Sequence, residues 1–220
     1  YSILGRINYS FDSKYMLTAN FRRDGSSNFS KKNRYGNFPS FSAAWRISQE
    51  RFMKNLNFIT DLKIRGSWGV LGNSNINAYQ YQSSVSFDKI CYYLNNKRVT
   101  GGLPVTPSNP NVKWESQYST DLGIDLTMFD NHFIFTFDYY YKKTKDMLVQ
   151  VPISFAAGYM NNFPVLNAGS IENKGIEIAL TYRNSYKKLD YSISANLSTV
   201  KNKVLELGTN NEIFASNEIS

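Results

Sequence analysis

Apolar and polar side chains alternate one for one along most of the chain. Ile3, Gly5, Ile7, Tyr9 and Phe11 fall on one side, and Leu4, Arg6, Asn8, Ser10 and Asp12 on the other. Tyr15, Leu17, Ala19 and Phe21 repeat the series against Met16, Thr18, Asn20 and Arg22. Successive side chains of a strand point to opposite faces, so this period predicts strands with one greasy and one wet face. The alternation places them over roughly 3–12, 15–23, 38–48, 61–71, 116–128, 132–145, 171–183 and 189–200, with extended pieces near 78–88 and 90–94. Most run about 9–13 residues, longer than the common globular strand of 5–6. A tilted strand needs roughly 9–11 residues to cross the hydrocarbon of a bilayer, so the lengths favour lipid as the partner of the greasy face.

The connections sort by length. Asp12-Ser13-Lys14 and Phe129-Asp130-Asn131 are tight turns, and Asn184 to Lys188 is short. Residues 24–37, 72–115 and 146–170 are long, and 49–60 is a medium link with a helix-like stretch at Glu50-Arg51-Phe52-Met53-Lys54. Short turns at one end and long loops at the other describe an up-and-down membrane barrel. Unstructured loops of this length are uncommon in a compact domain unless they are functional. Phe133, Phe135, Phe137, Tyr139 and Tyr141 form an unbroken aromatic stripe, with Thr136, Asp138, Tyr140 and Lys142 opposite. Tyr118, Thr120, Leu122, Ile124, Leu126 and Met128 likewise oppose Gln117, Ser119, Asp121, Gly123, Asp125 and Thr127. A wide barrel tolerates inward charges, and a soluble sandwich would expose them, so polarity alone leaves both open.

Composition sharpens this. The 220 residues include 16 Tyr, 15 Phe and 3 Trp. Such side chains favour strands, and Tyr and Trp favour boundaries between dry and wet surroundings. The net charge of +8 is compatible with solubility, anionic lipid, an acidic substrate or nucleic acid. Its clusters, Arg22-Arg23, Lys31-Lys32-Asn33-Arg34, Lys97-Arg98, Lys142-Lys143-Thr144-Lys145 and Lys187-Lys188, fall mostly at the ends of alternating segments. A solvent or headgroup layer belongs there. The single cysteine, Cys91, excludes an internal disulfide framework and a cysteine metal site. No apolar run reaches the roughly 18 residues of a membrane helix, which leaves strand crossing open. The alternation is already under way at Tyr1, with no secretion leader, so the chain is expected to be an internal piece of a longer one.

Catalytic chemistry has few candidates. His132 is the only histidine and reads as a solvated turn residue. One His and one Cys make neither a triad nor a zinc cluster. Asp121 and Asp125 are four apart on a strand, roughly 13 Å, too far for either glycosidase geometry. Gly66-Ser67-Trp68-Gly69-Val70-Leu71-Gly72 has no phosphate-loop lysine after it, and its glycines read as strand bends and a strand exit. The aromatics lie opposite most basic residues, so no mixed surface for nucleic acid forms. No metal and no cofactor is expected.

Several stretches together resemble the SusC/RagA family of TonB-linked outer-membrane transporters. They are Tyr15-Met16-Leu17-Thr18-Ala19-Asn20-Phe21-Arg22-Arg23-Asp24-Gly25-Ser26-Ser27-Asn28-Phe29, Phe38-Pro39-Ser40 leading to Ala43-Ala44-Trp45-Arg46-Ile47, and Leu62 through Asn73. Asn109-Pro110-Asn111-Val112-Lys113-Trp114-Glu115, Tyr139 through Leu148, Asn167 through Glu177 and Asn202-Lys203-Val204-Leu205 continue the resemblance in family order. The resemblance implies a plugged barrel importing large nutrients, often glycans or peptides. TonB supplies the energy, and a SusD-like surface lipoprotein caps the outer mouth.

The resulting expectation is an all-β fold: an antiparallel up-and-down transmembrane β-barrel segment of about 8–10 strands from a larger barrel, with long outer loops and short periplasmic turns. Residues 1–220 are expected to be a partial receptor barrel, with the plug domain, the TonB-contact segment and the C-terminal strands outside them. Arg6, Asn20, Arg22, Lys63, Arg65, Asp121 and Asp125 are expected to face the lumen or the plug. The long loops are expected to face outward toward substrate or lid. Tyr92, Tyr93 and Trp114 are candidates to stack on sugar rings, with packing among loops or in an interfacial girdle as the competing reading. Two alternatives stand beside the importer: a smaller complete outer-membrane barrel acting as a pore or adhesin, and a soluble carbohydrate-binding β-sandwich.

Overall fold

The alternating segments become the long strands of one sheet. The computed structural model describes residues 1–151, 156, 158–159 and 164–207. Its strands are β1 (Ser2–Phe11), β2 (Tyr15–Gly25), β3 (Tyr35–Arg46), β4 (Ile59–Asn73), β5 (Ser84–Leu94), β6 (Lys97–Thr106), β7 (Glu115–Met128), β8 (Phe133–Lys145), β9 (Leu148–Gln150), β10 (Val165–Asn167), β11 (Ser170–Tyr186) and β12 (Leu189–Glu206). Eight form an antiparallel sheet in the order β1-β2-β3-β4-β7-β8-β11-β12. Each strand pairs with the one before and after it, apart from two small hairpins, β5–β6 and β9–β10, carried inside long loops. This is the wall of an up-and-down barrel, and among the described residues it is open and no second sheet packs face to face on it as in a sandwich.

The turns hold the predicted sorting. Asp12 and Ser13 both have φ of 53°, and Phe129, Asp130 and Asn131 have 54°, 52° and 71°. Left-handed residues of this kind close tight hairpins whose twist matches the strands. These turns, the β11–β12 turn at Lys187 and the β3–β4 link all lie at one end of the sheet. The β2–β3, β4–β7 and β8–β11 connections lie at the other. Of the loop expected over 146–170, residues 152–155, 157 and 160–163 lie outside the described residues.

Three details differ from the sequence expectation. The helix-like stretch after β3 is two single 3-10 turns, Ile47–Gln49 and Arg51–Met53. Gly66, Gly69 and Gly72 stand inside β4. At Gly69 a Cβ would lie 2.8 Å from the Ser40 side chain, and at Gly72 it would overlap the Phe38 ring, so these two glycines make room for neighbouring side chains. The third is the pairing of Lys97–Thr106 with β5, which the Gly101-Gly102 and Pro104 interruptions conceal from any alternation pattern.

Burial identifies what the greasy face meets. Among the described residues the buried apolar side chains include Phe29, Phe38, Val112 and Val165, at the long-loop end. The apolar face of the sheet is open instead: Ile7 is 72% exposed and Leu197 61%. A continuous apolar sheet face that no protein layer covers is satisfied by lipid.

Candidate functional site

The opposite face carries a network built on the β4-β7-β8 register. Lys63 stands across from Asp125, Ser67 from Asp121, and Arg65 from Gly123, which in turn faces Asp138. The Arg65 guanidinium lies 3.3 Å from Asp121, 3.3 Å from Asp125 and 2.5 Å from Asp138. Lys63 reaches Asp125 at 2.8 Å. The approach to Asp138 is an ion-pair contact whose Oδ1 lacks an aligned hydrogen bond. Arg65 gets there by crossing Gly123, where a Cβ would sit 2.5 Å from Asp138 Oδ1 and 2.6 Å from the guanidinium carbon. These side chains are mostly about one-third exposed, so each isolated pair is worth only about 0–1 kcal/mol. Their shared effect is to hold three carboxylates around two cations on a water-facing wall. Asp121 and Asp125, rejected as a catalytic dyad, are neutralised together.

The other predicted lumen-facing residues share this face. Arg6 Nε donates to Asn20 Oδ1 at 2.6 Å, and Asn20 Nδ2 donates to Ser40 Oγ at 3.0 Å. Arg22 pairs with Asp24 at 2.8 Å and lies 5.7 Å from the centroid of the Phe38 ring. With Ser42 and Ser67 they line a shallow groove of about 370 Å³. The structure thus divides the predicted set into a β1–β3 polar patch and a β4–β8 ion network.

At the long-loop end the connections pack into a cap. Phe29, Val112 and Val165 form its buried centre, with Ile76, Tyr81, Trp114 and Leu148 against them. Asparagines tie the loops together: Asn33 Nδ2 donates to the carbonyls of Asn111 and Val112, Asn109 Nδ2 to that of Val165, and Asn28 Nδ2 to that of Ile76, all near 3.0 Å. Asn167 accepts from the Lys113 amide and donates to the carbonyls of Lys113 and Asp146, each at 2.8 Å. Trp114 belongs to this cap. Its ring lies 5.1 Å from Phe29 and 5.4 Å from Phe38, and its Nε1 donates to the Arg34 carbonyl at 3.2 Å. Tyr92 and Tyr93 stand elsewhere, on opposite faces of the β5–β6 hairpin, across from Val99 and Arg98. They are 59% and 71% exposed.

At the short-turn end Phe11, Tyr15 and Trp45 stack in series with centroids 6.5 and 6.4 Å apart, an aromatic girdle at the interface. Glu50, in the β3–β4 link, accepts from Tyr15 Oη at 2.7 Å and from Trp45 Nε1 at 3.2 Å. The Tyr15 hydrogen bond first, then that of Trp45, holds its carboxyl below the usual glutamate range.

Alternation revealed the wet-face residues but not their partners. Asp138 and Gly123 were legible as wet-face positions, whereas their meeting with Arg65 depends on strand offsets that a single strand does not encode.

An up-and-down sheet with an apolar, aromatic face, a charged opposite face, short turns at one end and a cap at the other defines the wall of an outer-membrane β-barrel. The family described as TonB dependent receptor-like, beta-barrel, matches residues 1–217. The chain belongs to this family, within its SusC/RagA group, and resides in the outer membrane. It is 38% identical to TonB-dependent receptor P3 of Formosa agariphila, covering 97% of this chain and 21% of that protein. It is 33% identical to TonB-dependent receptor SusC of Bacteroides thetaiotaomicron, over 94% of this chain and 21% of SusC. Among solved structures, the RagAB peptide importer in its closed-closed state superposes with a TM-score of 0.84 at 28% identity, covering 95% of this chain and 22% of the other. The siderophore receptor PirA of Pseudomonas aeruginosa shares the fold at 18% identity and a TM-score of 0.61. The chain spans about a fifth of the length of the curated relatives.

Proposed function

We propose that this chain is a wall segment of a TonB-dependent importer of large nutrients such as glycans or peptides. Its work is binding, guidance and passage rather than bond chemistry. The observation that carries the reading is the two-sided sheet, apolar outward and ion-networked inward, crowned by a cap of interlocked loops. In this reading a plug encoded elsewhere in the full-length protein rests against the lumenal face. TonB acts through that plug region, and a SusD-like lipoprotein meets the cap. Relatives named as TonB-dependent receptors and a neighbour described as a peptide importer support it.

Tyr92 and Tyr93 present open rings for stacking on sugars or on aromatic side chains of a peptide. Trp114 shares the loop end, where its ring also supports the cap. The test uses the full-length protein in cells, with uptake of labelled oligosaccharide and peptide mixtures measured with and without functional TonB. Uptake of one class that disappears on loss of TonB supports the importer; uptake of both classes indifferent to TonB and to deletion of the protein rejects it. Changing Tyr92 and Tyr93 together to Ala should weaken ligand binding, and unchanged affinity removes the stacking role.

A further inference from the structure

Four lysines crowd one place on the outward surface of the sheet. Lys174 of β11 stands directly opposite Lys201 of β12, and on the next rung Glu172 stands between Lys143 of β8 and Lys203 of β12. These positions share the parity of the apolar face. One rung back come Tyr139, Ile176 and Thr199, then Phe137, Ile178 and Leu197. The ammonium groups therefore sit at the rim of the apolar band, at the end that carries the long loops. At the opposite end the outward strand positions, from Phe133, Tyr182 and Ile193 through Asn184 and Tyr191 to Tyr186 and Leu189, are uncharged, and Lys187 of the turn lies over the Tyr186 ring.

Like charges placed opposite one another on adjacent strands repel. On the lumenal face the cations Lys63 and Arg65 are answered by carboxylates. Here they are not: among the described residues none of the four lysines forms an ion pair. Glu172, the carboxylate on these two rungs, accepts a hydrogen bond from Tyr141 Oη at 3.1 Å, and Asp146 and Glu206 line a hollow with Lys143 without forming an ion pair to it among the described residues. Adjacent strands stand about 4.8 Å apart and alternate residues about 6.7 Å apart, so four flexible ammonium groups can converge on one or two phosphates. Lysine stems lie along apolar surface while their heads seek the headgroup layer. An anion reaching this depth must bring its own apolar tail past Tyr139, Ile176 and Leu197.

We propose that Lys143, Lys174, Lys201 and Lys203 form a binding site for the phosphate-bearing headgroup of an anionic lipid in the outer leaflet. The acyl chains lie along the aromatic and aliphatic stripe below. The site depends on the membrane setting alone and stands apart from any transport substrate.

The test uses the full-length protein that carries this chain, purified in a neutral detergent and examined by native mass spectrometry. Phosphatidic acid and phosphatidylcholine with identical acyl chains are the probes. The protein should retain phosphatidic acid at least about tenfold more strongly. Changing all four lysines to Gln should erase that preference, changing them to Arg should keep it, and changing Lys187 and Lys188 to Gln should leave it intact. Heat-modifiable electrophoretic migration checks that each variant forms a barrel. Equal retention of the two lipids overturns the proposal even if the Gln variant does not fold, as does a folded Gln variant that keeps the preference. Displacement by millimolar inorganic phosphate would mean a free-anion site and would likewise overturn the lipid assignment.

Discussion

At Gly123 the missing side chain lets the Arg65 guanidinium of β4 reach Asp138 of β8 across the intervening strand. Gly175 does the same for Tyr140, whose hydroxyl extends over it toward the Thr199 carbonyl at 3.5 Å. Long side chains lying over glycines on a neighbouring strand pin strand register. In the full-length protein Gly123→Val should therefore destabilise the barrel by about 1–3 kcal/mol, read as a lower urea midpoint. Gly5→Val, on β1 with nothing within 4 Å, should leave the midpoint unchanged. A second prediction concerns Glu50. Its folded carboxyl lies below the usual value, so its stabilising effect is complete above about pH 4.3 and fades as pH falls through the lower folded value. Below that point the unfolding midpoint of the native sequence should converge on that of Glu50→Gln; a constant gap between them refutes the coupling. That the seven predicted positions share one face was legible from the sequence, because period two assigns a face to every residue. The partners were not, because cross-strand neighbours are set by turn geometry and by the offset of one strand against the next.

The eight long strands were likewise legible, since each carries enough alternation to declare itself. The cap was not, because its apolar members Phe29, Val112 and Val165 are isolated among polar loop residues. What joins them is a set of asparagine side chains bonding to remote carbonyls, a pattern with no sequence period. Asn167→Ala removes three such bonds and leaves the Lys113 amide and two carbonyls without that partner. It should loosen the cap while sparing the sheet, seen as faster hydrogen exchange around 111–115 and 146–148 with unchanged exchange in β7 and β8 beyond the cap. Phe38→Ala belongs with it. The ring is buried over Gly36 and Gly72 and meets Trp114, so its loss should cost about 3–5 kcal/mol, measured by the urea midpoint.

As a whole the sheet is asymmetric in two directions, lipid to lumen and short turns to cap. Among the described residues the far sides of β1 and β12 meet no other strand of the sheet. A bilayer does not tolerate unpaired backbone, so these edges need further strands. Produced alone, the 220-residue chain should fail to form a monodisperse monomer in detergent, and light scattering should show association instead. The sorting of the loops also sets an order of events. When the chain enters its membrane from the short-turn side, the turns at Asp12, Asp130 and Lys187 never cross the hydrocarbon, while every long loop must. The cap joins Phe29, Val112 and Val165, one from each of three loops, so it closes only after all three have been translocated. Resistance of the cap to an external protease therefore acts as a clock, and its onset marks the moment at which insertion is complete.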